Sequence, residues 1–392
     1  MNKLLLNTAN QDFINSHLES DIVLLLLGKN DSQIENIKEL VEQIEAKNKC
    51  KLKLPTWFNA SGIYFPNKLN IEQTSSELTA EYKSTIVKGR SMIDLTGGFG
   101  IDAFFFSKYF KDVIHCEIDT NLSEIAKHNF NILGASNISS ITENGIHYLN
   151  SSKTKFDLIY IDPSRRHDSK GKVFYLKDCL PDITKSLDLL LEHSNTILIK
   201  ASPMLDISIA LSELKWVKEI HIVAIRNEVK ELLFLIEKGF EENIKIKTNN
   251  ISPTKNQTLD FFINDEDINM ANYSLPKNYL YEPNSAILKA GAFNVISKIF
   301  SVYKLHKHSH LYTSENFIEF PGRCFKIIEV FSYSKREVSR KFSNNKANIT
   351  TRNFPESVAQ LRTKFKIKDG GELFLFFTTN ASNKKIVIVT KQ

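Results

Sequence analysis

The stretch SMIDLTGGFGIDAFFF, residues 91–106, decides the fold of this chain. A short apolar run ends at Asp94, then Gly97, Gly98 and Gly100 follow, and bulky apolar residues come next. Three of the 14 glycines of the chain therefore fall within four positions. A strand, a glycine turn and a helix in this order are typical of the first unit of a doubly wound α/β sheet.

The alternation of strands and helices continues to about residue 240. We predict strands at SMIDL (91–95), DVIHCEI (112–118), SSIT (139–142), FDLIYID (156–162), NTILIK (195–200), EIHIVAI (219–225) and ELLFLIEK (231–238). We predict helices at IDAFFFSKYF (101–110), NLSEIAKHNFNILG (121–134), VFYLKDCLPDITKSLDLLLEH (173–193) and DISIALSEL (206–214). Short apolar strands separated by helices indicate a parallel sheet with helices on both faces, which is an α/β, Rossmann-like, doubly wound architecture.

The regions on either side follow other patterns. Residues 1–50 have the apolar spacing of helices. The segment KLPTWFNASGIYFP (53–66) is interrupted by Pro and Gly, so we predict a loop there. Residues 71–89 have the pattern of a helix, which Ser75 or Ser76 can cap. Beyond residue 240 the α/β rhythm stops, and KNYLYEPNSAILKAGAFNVISKIF (277–300) reads as a turn and a helix. FKIIEVFSY (325–333) reads as a strand, PESVAQLRTKF (355–365) as a helix, and the C-terminus as a hairpin.

These patterns predict four parts of the chain. They are a helical N-terminal extension (1–85), the α/β domain (86–245), a small ferredoxin-like or connecting domain (246–320) and a basic α+β domain (321–392).

Composition excludes several classes of protein. Apolar residues make up 42% of the 392 residues and charged residues 24%, an ordinary globular balance. The longest aliphatic run, Ile22 to Leu27, is far too short to span a membrane, and we expect that the N-terminal residues are not a secretory signal. The four cysteines form no CxxC pair, and HKHSH (306–310) lies in a polar, basic stretch, so we predict no disulfide framework and no metal. We expect a cytoplasmic protein without a membrane partner.

Charge is distributed unevenly along the chain. Residues 321–392 carry 15 Lys and Arg against 5 Asp and Glu, a balance of +10, whereas the whole chain has a net charge of +6. This asymmetry indicates either a domain that binds a polyanion or a basic surface without a partner.

Acidic residues at the ends of predicted strands point to the ligand of the α/β domain. In a doubly wound sheet the ligand lies beyond the carboxyl ends of the strands, and glycines let the backbone approach it closely. Asp94 would repel a pyrophosphate but attract an ammonium group. It therefore favours S-adenosylmethionine, which carries an amino-acid head and a sulfonium.

The following strands favour the same cofactor. Glu117 ends the second strand, 23 residues after Asp94, where an acid can bind both ribose hydroxyls. Asn144 and Gly145 follow the third strand, near the expected adenine, and Asp162 ends the fourth strand, near the expected methyl group. Each feature alone fits a simple turn or a solvated acid, but their order on successive strands indicates the cofactor.

At this point the chain resembles the class I S-adenosylmethionine-dependent methyltransferases, and more narrowly the bacterial, Bacteroidetes-type family with a C-terminal THUMP-like domain. The resemblance covers nearly the whole chain. It rests on KLPTW (53–57), EQTSSELTAEYK (72–83), DLTGGFGID (94–102), IDPSRR (161–166), KDCLPDI (177–183), KASPMLDI (200–207), YEPNSAILKAG (281–291) and ANITTRNFP (347–355). The family more usually has alanine at the position of Ser164.

The resemblance implies a set of cofactor-binding residues. In it, EQTSSELTAEYK forms a lid over the cofactor, with Thr79 and Lys83 as contacts, although by itself the segment is a capped amphipathic helix. The full predicted set is Thr79, Lys83, Asp94, Thr96, Gly97, Gly98, Gly100, Glu117, Ile118, Asn144, Gly145 and Asp162.

Methyl transfer needs alignment of acceptor, methyl and sulfur, together with charge balance. Asp162 is the best candidate to accept a hydrogen bond from an acceptor amine, and we predict a catalytic group of Asp162, Pro163, Ser164 and Arg165. Arg165 and Arg166 would either clamp a phosphate or form ion pairs with Asp157, Asp168 or Glu117.

The lack of a cysteine in one loop limits the type of atom that can accept the methyl group. C5 methylation of uracil needs a cysteine nucleophile, typically on the loop after the next strand, but that loop reads Lys200-Ala201-Ser202-Pro203. Cys179 lies in a helical segment and reads as a small core residue. A nitrogen or 2′-hydroxyl acceptor is therefore preferred, and Lys200 would hold an anionic group or stay solvated.

The basic tail carries candidate RNA contacts. We predict RNA-binding roles for Arg336, Arg340, Lys341, Arg352, Arg362 and Lys364. Phe342, Phe354 and Phe365 would either stack on unpaired bases or belong to the core. The sequence thus predicts an S-adenosylmethionine-dependent methyltransferase of RNA, acting on a base nitrogen. The alternatives are a methyltransferase of proteins or small molecules, and an RNA-binding protein with a vestigial methyltransferase fold.

Overall fold

The computed structural model of this protein describes residues 1–27, 36–165 and 175–392. The chain forms two compact units. The first contains Met1–Val217 and Leu233–Glu241, and the second contains Lys218–Leu232 and Glu242–Gln392.

The first unit contains eleven of the described helices and most strands of the predicted α/β domain. Its helices are α1 (Thr8–Ser16), α2 (Ile22–Leu27), α3 (Ile37–Lys53), α4 (Pro55–Asn59), α5 (Lys68–Gln73), α6 (Glu77–Ser84), α7 (Ile101–Phe106), α8 (Thr120–Ile132), α9 (Gly145–Ser151), α10 (Ile183–His193) and α11 (Ile207–Glu213). Its strands are β1 (Ser91–Asp94), β2 (Asp112–Cys116), β3 (Ile138–Ile141), β4 (Leu158–Ile161), β5 (Ser164–Arg165), β6 (Cys179–Leu180) and β7 (Thr196–Ala201).

The central sheet of this unit has the neighbour order β7-β4-β1-β2-β3. All four neighbouring pairs are parallel, with Ile93 opposite Ile114 in β2 and Ile159 in β4. The order reverses between β1 and β4, which makes the carboxyl ends of these two strands the switch point where doubly wound folds bind ligands. The predicted doubly wound parallel sheet is therefore confirmed.

Continuous burial explains why these segments form central strands. Every residue of β4 is buried, as are Met92, Ile93 and Asp94 of β1. Parallel strands covered on both faces need such unbroken apolar runs. All six residues of α7 are also buried, so the helix after the glycines packs into the core with its single acid, Asp102.

The N-terminal segment is helical, as predicted, but its later part differs from expectation. KLPTW does not form a loop, because α4 begins at Pro55 and buries Trp57 with its ring 4.9 Å from that of Phe104. The predicted single helix over 71–89 is two shorter helices, α5 and α6. Ser76 caps α6, since its Oγ accepts a hydrogen bond from the Thr79 N–H at 3.3 Å.

The predicted helix over 173–193 is wrong in its first half. Residues 173 and 174 lie outside the described residues, and Leu176–Asp178 form a 3₁₀ turn that leads into β6. The α-helix begins only at Ile183 because Pro181 lacks a backbone N–H and Asp182 caps the first turn, accepting from the Thr184 N–H at 3.1 Å.

The second unit begins with strands that the sequence pattern missed. Its elements are β8 (Val217–Ile225), β9 (Glu228–Glu237, shared with the first unit), β10 (Lys245–Ile251), β11 (Gln257–Phe262), α12 (Asp265–Ile268), β12 (Tyr279–Pro283), α13 (Ser285–Ala290), α14 (Val295–Ile299), β13 (Tyr303–Lys304), β14 (Tyr312–Ser314), β15 (Gly322–Ser332), α15 (Lys335–Phe342), β16 (Asn348–Arg352), α16 (Val358–Phe365), β17 (Leu373–Thr379) and β18 (Lys385–Lys391). Strands continue past residue 240, because β10 pairs in parallel with β8 and antiparallel with β11.

A second sheet of this unit has the order β13-β14-β12-β15-β18-β17-β16. The strand at 325–333, the helix at 355–365 and the antiparallel C-terminal hairpin are confirmed by β15, α16 and β17–β18. The predicted turn near Tyr279 is a strand, β12, which pairs with β15. Within the described ranges, no helix has both the length and the apolar character needed to cross a membrane.

Candidate active site

The carboxyl ends of β1, β2 and β4 are joined by hydrogen bonds through the glycine loop. The Gly98 N–H donates to Glu117 Oε2 at 2.8 Å, and the Asp162 N–H donates to Thr96 Oγ1 at 2.7 Å. Residues predicted from separate stretches of sequence therefore lie at one edge of the sheet. Whether they bind a cofactor stays a prediction.

Asp94 is the most deeply buried acid of this edge. Only 1% of its surface is exposed, and its Oδ1 accepts a hydrogen bond from the Thr96 N–H at 3.0 Å. Burial raises the pKa of Asp94 well above its ordinary value, and the negative charges of Asp102, Asp162 and Glu117 raise it further. Four acids of this edge are therefore close enough for their charges to act on one another.

Two of these four acids already have a lysine partner. Lys83 pairs with Asp102, and Lys200 pairs with Asp162. Among the residues that the structure describes, Asp94 and Glu117 have no cationic partner. An ammonium or sulfonium group would supply the missing positive charge, so the carboxylates of Asp94 and Glu117 fit a cationic cofactor such as S-adenosylmethionine.

Glu117 is held in place by two backbone groups. Its Oε1 accepts from the Asp119 N–H at 2.7 Å, while its Oε2 accepts from Gly98. The neighbouring Ile118 side chain is 69% exposed. An oriented carboxylate beside an exposed apolar side chain can bind a ribose and the face of a base.

The three positions of the loop need glycine for different structural reasons. A Cβ on Gly97 would lie 2.2 Å from His115 Nε2, and a Cβ on Gly100 would lie 2.3 Å from the ring of Phe130. These two glycines are therefore required by packing inside the protein. A Cβ on Gly98 would meet nothing closer than 3.9 Å, but its φ of +55° favours glycine. Only Gly98 leaves open space above the backbone.

His115, which sequence reasoning missed, supports the loop from below. It is fully buried in β2, with its ring edge-on to Phe130 at 5.3 Å between centroids. Burial lowers its pKa to about 4, so the imidazole is neutral at pH 7, and neither ring nitrogen has a hydrogen-bond partner among the described residues. Nothing in the sequence distinguishes it from other strand residues.

Lys83 and Asp102 belong to a buried polar network behind the loop. Lys83 Nζ lies 3.1 Å from Asp102 Oδ1 and donates to Ser75 Oγ at 3.0 Å. Asp102 Oδ2 accepts from Ser75 Oγ at 2.8 Å and from the Tyr160 hydroxyl at 2.7 Å. Burial alone would raise the pKa of Asp102, but Lys83, Lys200 and these hydroxyls together hold it below its ordinary value. Asp102, Ser75 and Tyr160 were not predicted as site residues.

Thr79, predicted with Lys83, lies in the first turn of α6. Its side chain is 2% exposed and donates to the Ser76 carbonyl at 3.0 Å. The same hydroxyl group lies beside the Ser76 Oγ that caps the helix. The threonine therefore stabilises the start of α6 in this structure.

Asn144 and Gly145 begin α9 at the same edge. Asn144 Oδ1 accepts from the N–H groups of Ile146 at 2.9 Å and His147 at 3.2 Å. A Cβ on Gly145 would lie 2.5 Å from the Leu95 carbonyl oxygen. The glycine thus allows the helix to approach the residue that follows β1.

The predicted catalytic group follows β4. Asp162 forms an ion pair with Lys200, which excludes the expectation of a merely solvated lysine. Ser164 is exposed, and its Oγ donates to the Leu180 carbonyl at 3.4 Å. Pro163 lies between them, half-buried. Arg166 and Asp168 lie outside the described residues, and only the backbone of Arg165 is described, in β5.

The predicted RNA contacts of the second unit are mostly ion-paired. The pairs are Arg340–Glu337, Lys341–Glu329, Arg352–Glu282, Arg362–Asp369 and Lys364–Glu356. Arg336 is exposed and has no such partner among the described residues. Phe342 and Phe365 are buried, and Phe354 packs against the same apolar cluster, so these three rings belong to the core.

Metal binding finds no support in the described ranges. They contain no group of three or more His, Cys, Asp or Glu side chains arranged to hold a metal ion. The loop HKHSH uses His306 in hydrogen bonds to Asn383 and Asn353, at 3.0 and 2.9 Å.

Comparisons with known proteins identify the family. Residues 279–321 match the family model of a ferredoxin-like domain, and residues 322–392 match that of a THUMP-like domain. A provisionally assigned methyltransferase from Porphyromonas gingivalis W83 is 34% identical, with a TM-score of 0.90 over 100% of this chain and 98% of that chain. The chain belongs to this family of bacterial methyltransferases with a C-terminal THUMP-like domain.

More distant structures resemble this family member only in part. An rRNA methylase from Streptococcus thermophilus is 13% identical, with a TM-score of 0.31 over 42% of this chain and 95% of that chain. TrmK from M. capricolum, in complex with S-adenosyl-homocysteine, is 13% identical, with a TM-score of 0.32 over 41% and 68%. Such low scores support no conclusion about ligand or substrate. No significant match is found among curated proteins.

Proposed function

We propose that this protein is an S-adenosylmethionine-dependent methyltransferase that modifies RNA, at a base nitrogen. The observation that supports the cofactor is the presence of two acids, Asp94 and Glu117, on either side of the glycine loop, neither of which has a cationic partner among the described residues. The family supports methyl transfer, and the basic THUMP-like domain supports RNA as the substrate class.

The residues of the edge suit the parts of S-adenosylmethionine. Asp94 would neutralise the cofactor's ammonium, and Glu117 would accept hydrogen bonds from the ribose hydroxyls. The exposed Ile118 side chain would cover the adenine, near the start of α9 at Asn144. Bound there, the cofactor supplies a methyl group on a positively charged sulfur. Because burial raises the pKa of Asp94, a cation beside it would relieve an existing energetic cost.

Asp162 is the residue best suited to meet the acceptor. Its backbone is fixed by Thr96 and one carboxylate oxygen, Oδ2, is engaged by Lys200. Its Oδ1 accepts no hydrogen bond from the described residues. This oxygen can therefore accept a hydrogen bond from an amino group on the acceptor base and orient the nitrogen lone pair.

The chemistry of the β7 edge favours a nitrogen acceptor over C5 of a pyrimidine. Lys200 and Ala201 end β7, and Ser202 and Pro203 follow, so this loop presents no thiol. A C5 methyltransferase needs a covalent nucleophile at such a position, whereas a base nitrogen carries its own lone pair.

Cofactor binding is tested by calorimetry with S-adenosyl-homocysteine. Asp94→Asn keeps the acceptor for Thr96 but removes the charge, and we expect binding to weaken by about tenfold or more, as for loss of a charged hydrogen bond. Asp112→Asn, at an exposed position of β2, is the matched control and should bind like the parent. Equal affinity of Asp94→Asn and the parent would refute this cofactor site.

The substrate is tested with isotope-labelled cofactor and total RNA from a strain that lacks the protein. We expect label in one nucleoside, methylated at a base nitrogen, and loss of this signal in Asp162→Asn. Turnover at the parental rate in Asp162→Asn would contradict the role of Asp162. Label that appears only in protein or small molecules would contradict RNA as the substrate.

A further inference from the structure

A cluster of basic side chains surrounds one aromatic ring in the ferredoxin-like part of the second unit. Lys304 Nζ lies 5.3 Å from the centroid of the Phe293 ring. The imidazole of His310 stacks on the same ring, with 3.8 Å between centroids and 26° between planes. We call Phe293, Lys304 and His310 the Phe293 cluster.

The lysine of this cluster is largely buried and forms no direct ion pair among the described residues. Only 3% of Lys304 is exposed, and its ammonium has no ion pair or hydrogen bond among the described residues. Glu266, whose charge acts on it, accepts hydrogen bonds from the Asn294 N–H at 2.8 Å and the Val295 N–H at 3.0 Å. Burial lowers the pKa of Lys304, and Glu266 opposes this only in part. An ammonium on a largely buried side chain that forms no ion pair among the described residues is open to an anionic ligand.

His310 also has a polar atom without a partner in the described part of the chain. Nδ1 of His310 is buried and has no hydrogen-bond partner among the described residues. Burial, together with the positive charges of Lys304, His308 and Arg352, lowers the pKa of His310 to about 4. Arg352 is already paired with Glu282. Positive potential therefore converges on the ring, and the described residues place no carboxylate against His310.

The backbone beneath the ring is fixed. The buried hydroxyl of Tyr312 donates to the Phe293 carbonyl at 2.7 Å. Glu266 binds the N–H groups of the two residues that follow Phe293. The ring therefore has a rigid support, and the side chains of Lys304 and His310 that lie against it are held in a preformed arrangement.

We propose that Lys304 and His310 form a binding site for a phosphate group. The ligand's negative charge would pair with the ammonium, and a phosphate oxygen would meet Nδ1 of His310. Two sources of the same chemistry are inorganic phosphate and a backbone phosphate of RNA. The site does not depend on the proposed methyl transfer, because it rests only on side chains of the second unit.

The full-length protein is titrated with inorganic phosphate by calorimetry. Lys304→Met keeps the length and the apolar stem of the lysine but removes its charge, and we expect phosphate binding to weaken by about tenfold or more. Lys307→Met, at an exposed neighbour, causes the same change in net charge and should bind like the parent. Lys304→Arg should retain binding. His310→Phe keeps the stacking, removes Nδ1 and should weaken binding severalfold, which provides a test if Lys304→Met does not fold.

A second titration identifies the source of the phosphate. A short single-stranded oligoribonucleotide without a terminal phosphate is titrated into the same variants, with and without competing inorganic phosphate. Loss of RNA binding in Lys304→Met but not in Lys307→Met supports a backbone phosphate, and loss confined to inorganic phosphate supports the free ion. The proposal is overturned if Lys304→Met and Lys307→Met lose binding equally. It is also overturned if neither phosphate nor the oligoribonucleotide binds in a way that depends on Lys304 and His310. Methyl transfer is not measured, so failure of the proposed function would not affect this result.

Discussion

Lys83 and Asp102 form a buried ion pair, with 3.1 Å between Nζ and Oδ1, directly behind the glycine loop. Asp102 is only two residues beyond Gly100, and Lys83 lies in α6, before β1. The pair therefore fixes α6 to the helix that follows the loop. The segment EQTSSELTAEYK is thus attached to the candidate site through its last residue, whatever its contact with a cofactor.

Removing Lys83 should destabilise the protein strongly. Lys83→Met leaves the carboxylate of Asp102 buried without its cation, and we expect a loss of about 3–5 kcal/mol in the free energy of unfolding at pH 7. Denaturant unfolding measures it. The double variant Lys83→Met/Asp102→Asn should be less destabilised than the single variant, because its amide is neutral and can still accept from Tyr160 and Ser75. A loss below about 1 kcal/mol in the single variant would show that the pair contributes little.

This contribution depends on pH with a defined sign. The folded-state pKa of Asp102 lies below its ordinary value. The stabilisation is therefore complete above the unfolded pKa of about 3.9 and is lost as the pH falls through the folded-state pKa. The difference between the parent and Asp102→Asn should accordingly shrink in acid, as measured by denaturant unfolding below pH 4. A difference that is constant with pH would contradict the assignment.

Asp94→Asn should stabilise the free protein while it weakens cofactor binding. The folded-state pKa of Asp94 is raised, so its ionised form costs stability at neutral pH. We expect the substitution to gain about 0.5–2 kcal/mol at pH 7. The gain should vanish below about pH 4, where Asp94 is protonated in both the folded and the unfolded states.

Denaturant unfolding at the two pH values measures this gain, and the exposed Asp112→Asn should change stability by less than about 0.5 kcal/mol at either. Destabilisation by Asp94→Asn at pH 7 would show that the carboxylate is already neutralised in the free protein. Such a result would remove the reason to expect a cation beside Asp94.

Gly97 and Gly98 should respond differently to alanine. Gly97→Ala places a Cβ 2.2 Å from His115, and we expect a loss of stability of about 1–3 kcal/mol, partly recovered in Gly97→Ala/His115→Ala. Gly98→Ala meets open space, so we expect only the left-handed strain of roughly 1–2 kcal/mol but a clear loss of cofactor affinity by calorimetry. Strictly additive stability effects of Gly97→Ala and His115→Ala would contradict the packing explanation.

The fold was predictable where residues repeat a local pattern. Strands β1, β4 and β7 are continuous apolar runs, and the glycines and acids that follow them mark the carboxyl edge. Strand β10 was missed because it buries Thr248, Asn249 and Asn250, so its hydrophobic pattern is weak. The helix over 173–193 was overextended because periodicity outweighed the break at Pro181.

The sequence predicts the acidic residues of the candidate site but not the side chains that pair with them. Asp94, Glu117 and Asp162 each end a strand, and the sequence shows this directly. The Lys200–Asp162 pair joins residues that are 38 positions apart, and their proximity depends on the order of β4 and β7 in the sheet. Asp102 looks like an ordinary helix residue until the fold brings Lys83 and Tyr160 to it. Such contacts between distant residues leave no local signal.

RNA binding should depend on the unpaired lysines of the THUMP-like domain more than on its paired cations. Lys346, Lys366 and Lys368 are exposed, lie in two paired segments and have no ion pair among the described residues. In the segments that carry them, the Asn344 N–H donates to the Lys366 carbonyl at 3.2 Å, and Lys346 bridges to Lys368. A phosphate that binds there displaces counterions without breaking an ion pair of the protein.

The slope of log affinity against log salt is negative for such binding. We therefore expect the triple variant Lys346→Gln/Lys366→Gln/Lys368→Gln to reduce the magnitude of this slope by about 2, at about 0.7 for each cation on a single strand. Fluorescence anisotropy with a labelled oligoribonucleotide over a range of salt concentrations measures this slope. A control with the same change in charge, Lys3→Gln/Lys88→Gln/Lys127→Gln at exposed positions of the first unit, should change it less. If both variants reduce the magnitude of the slope equally, the lysines act only through net charge, and the polyanion is not bound at this surface.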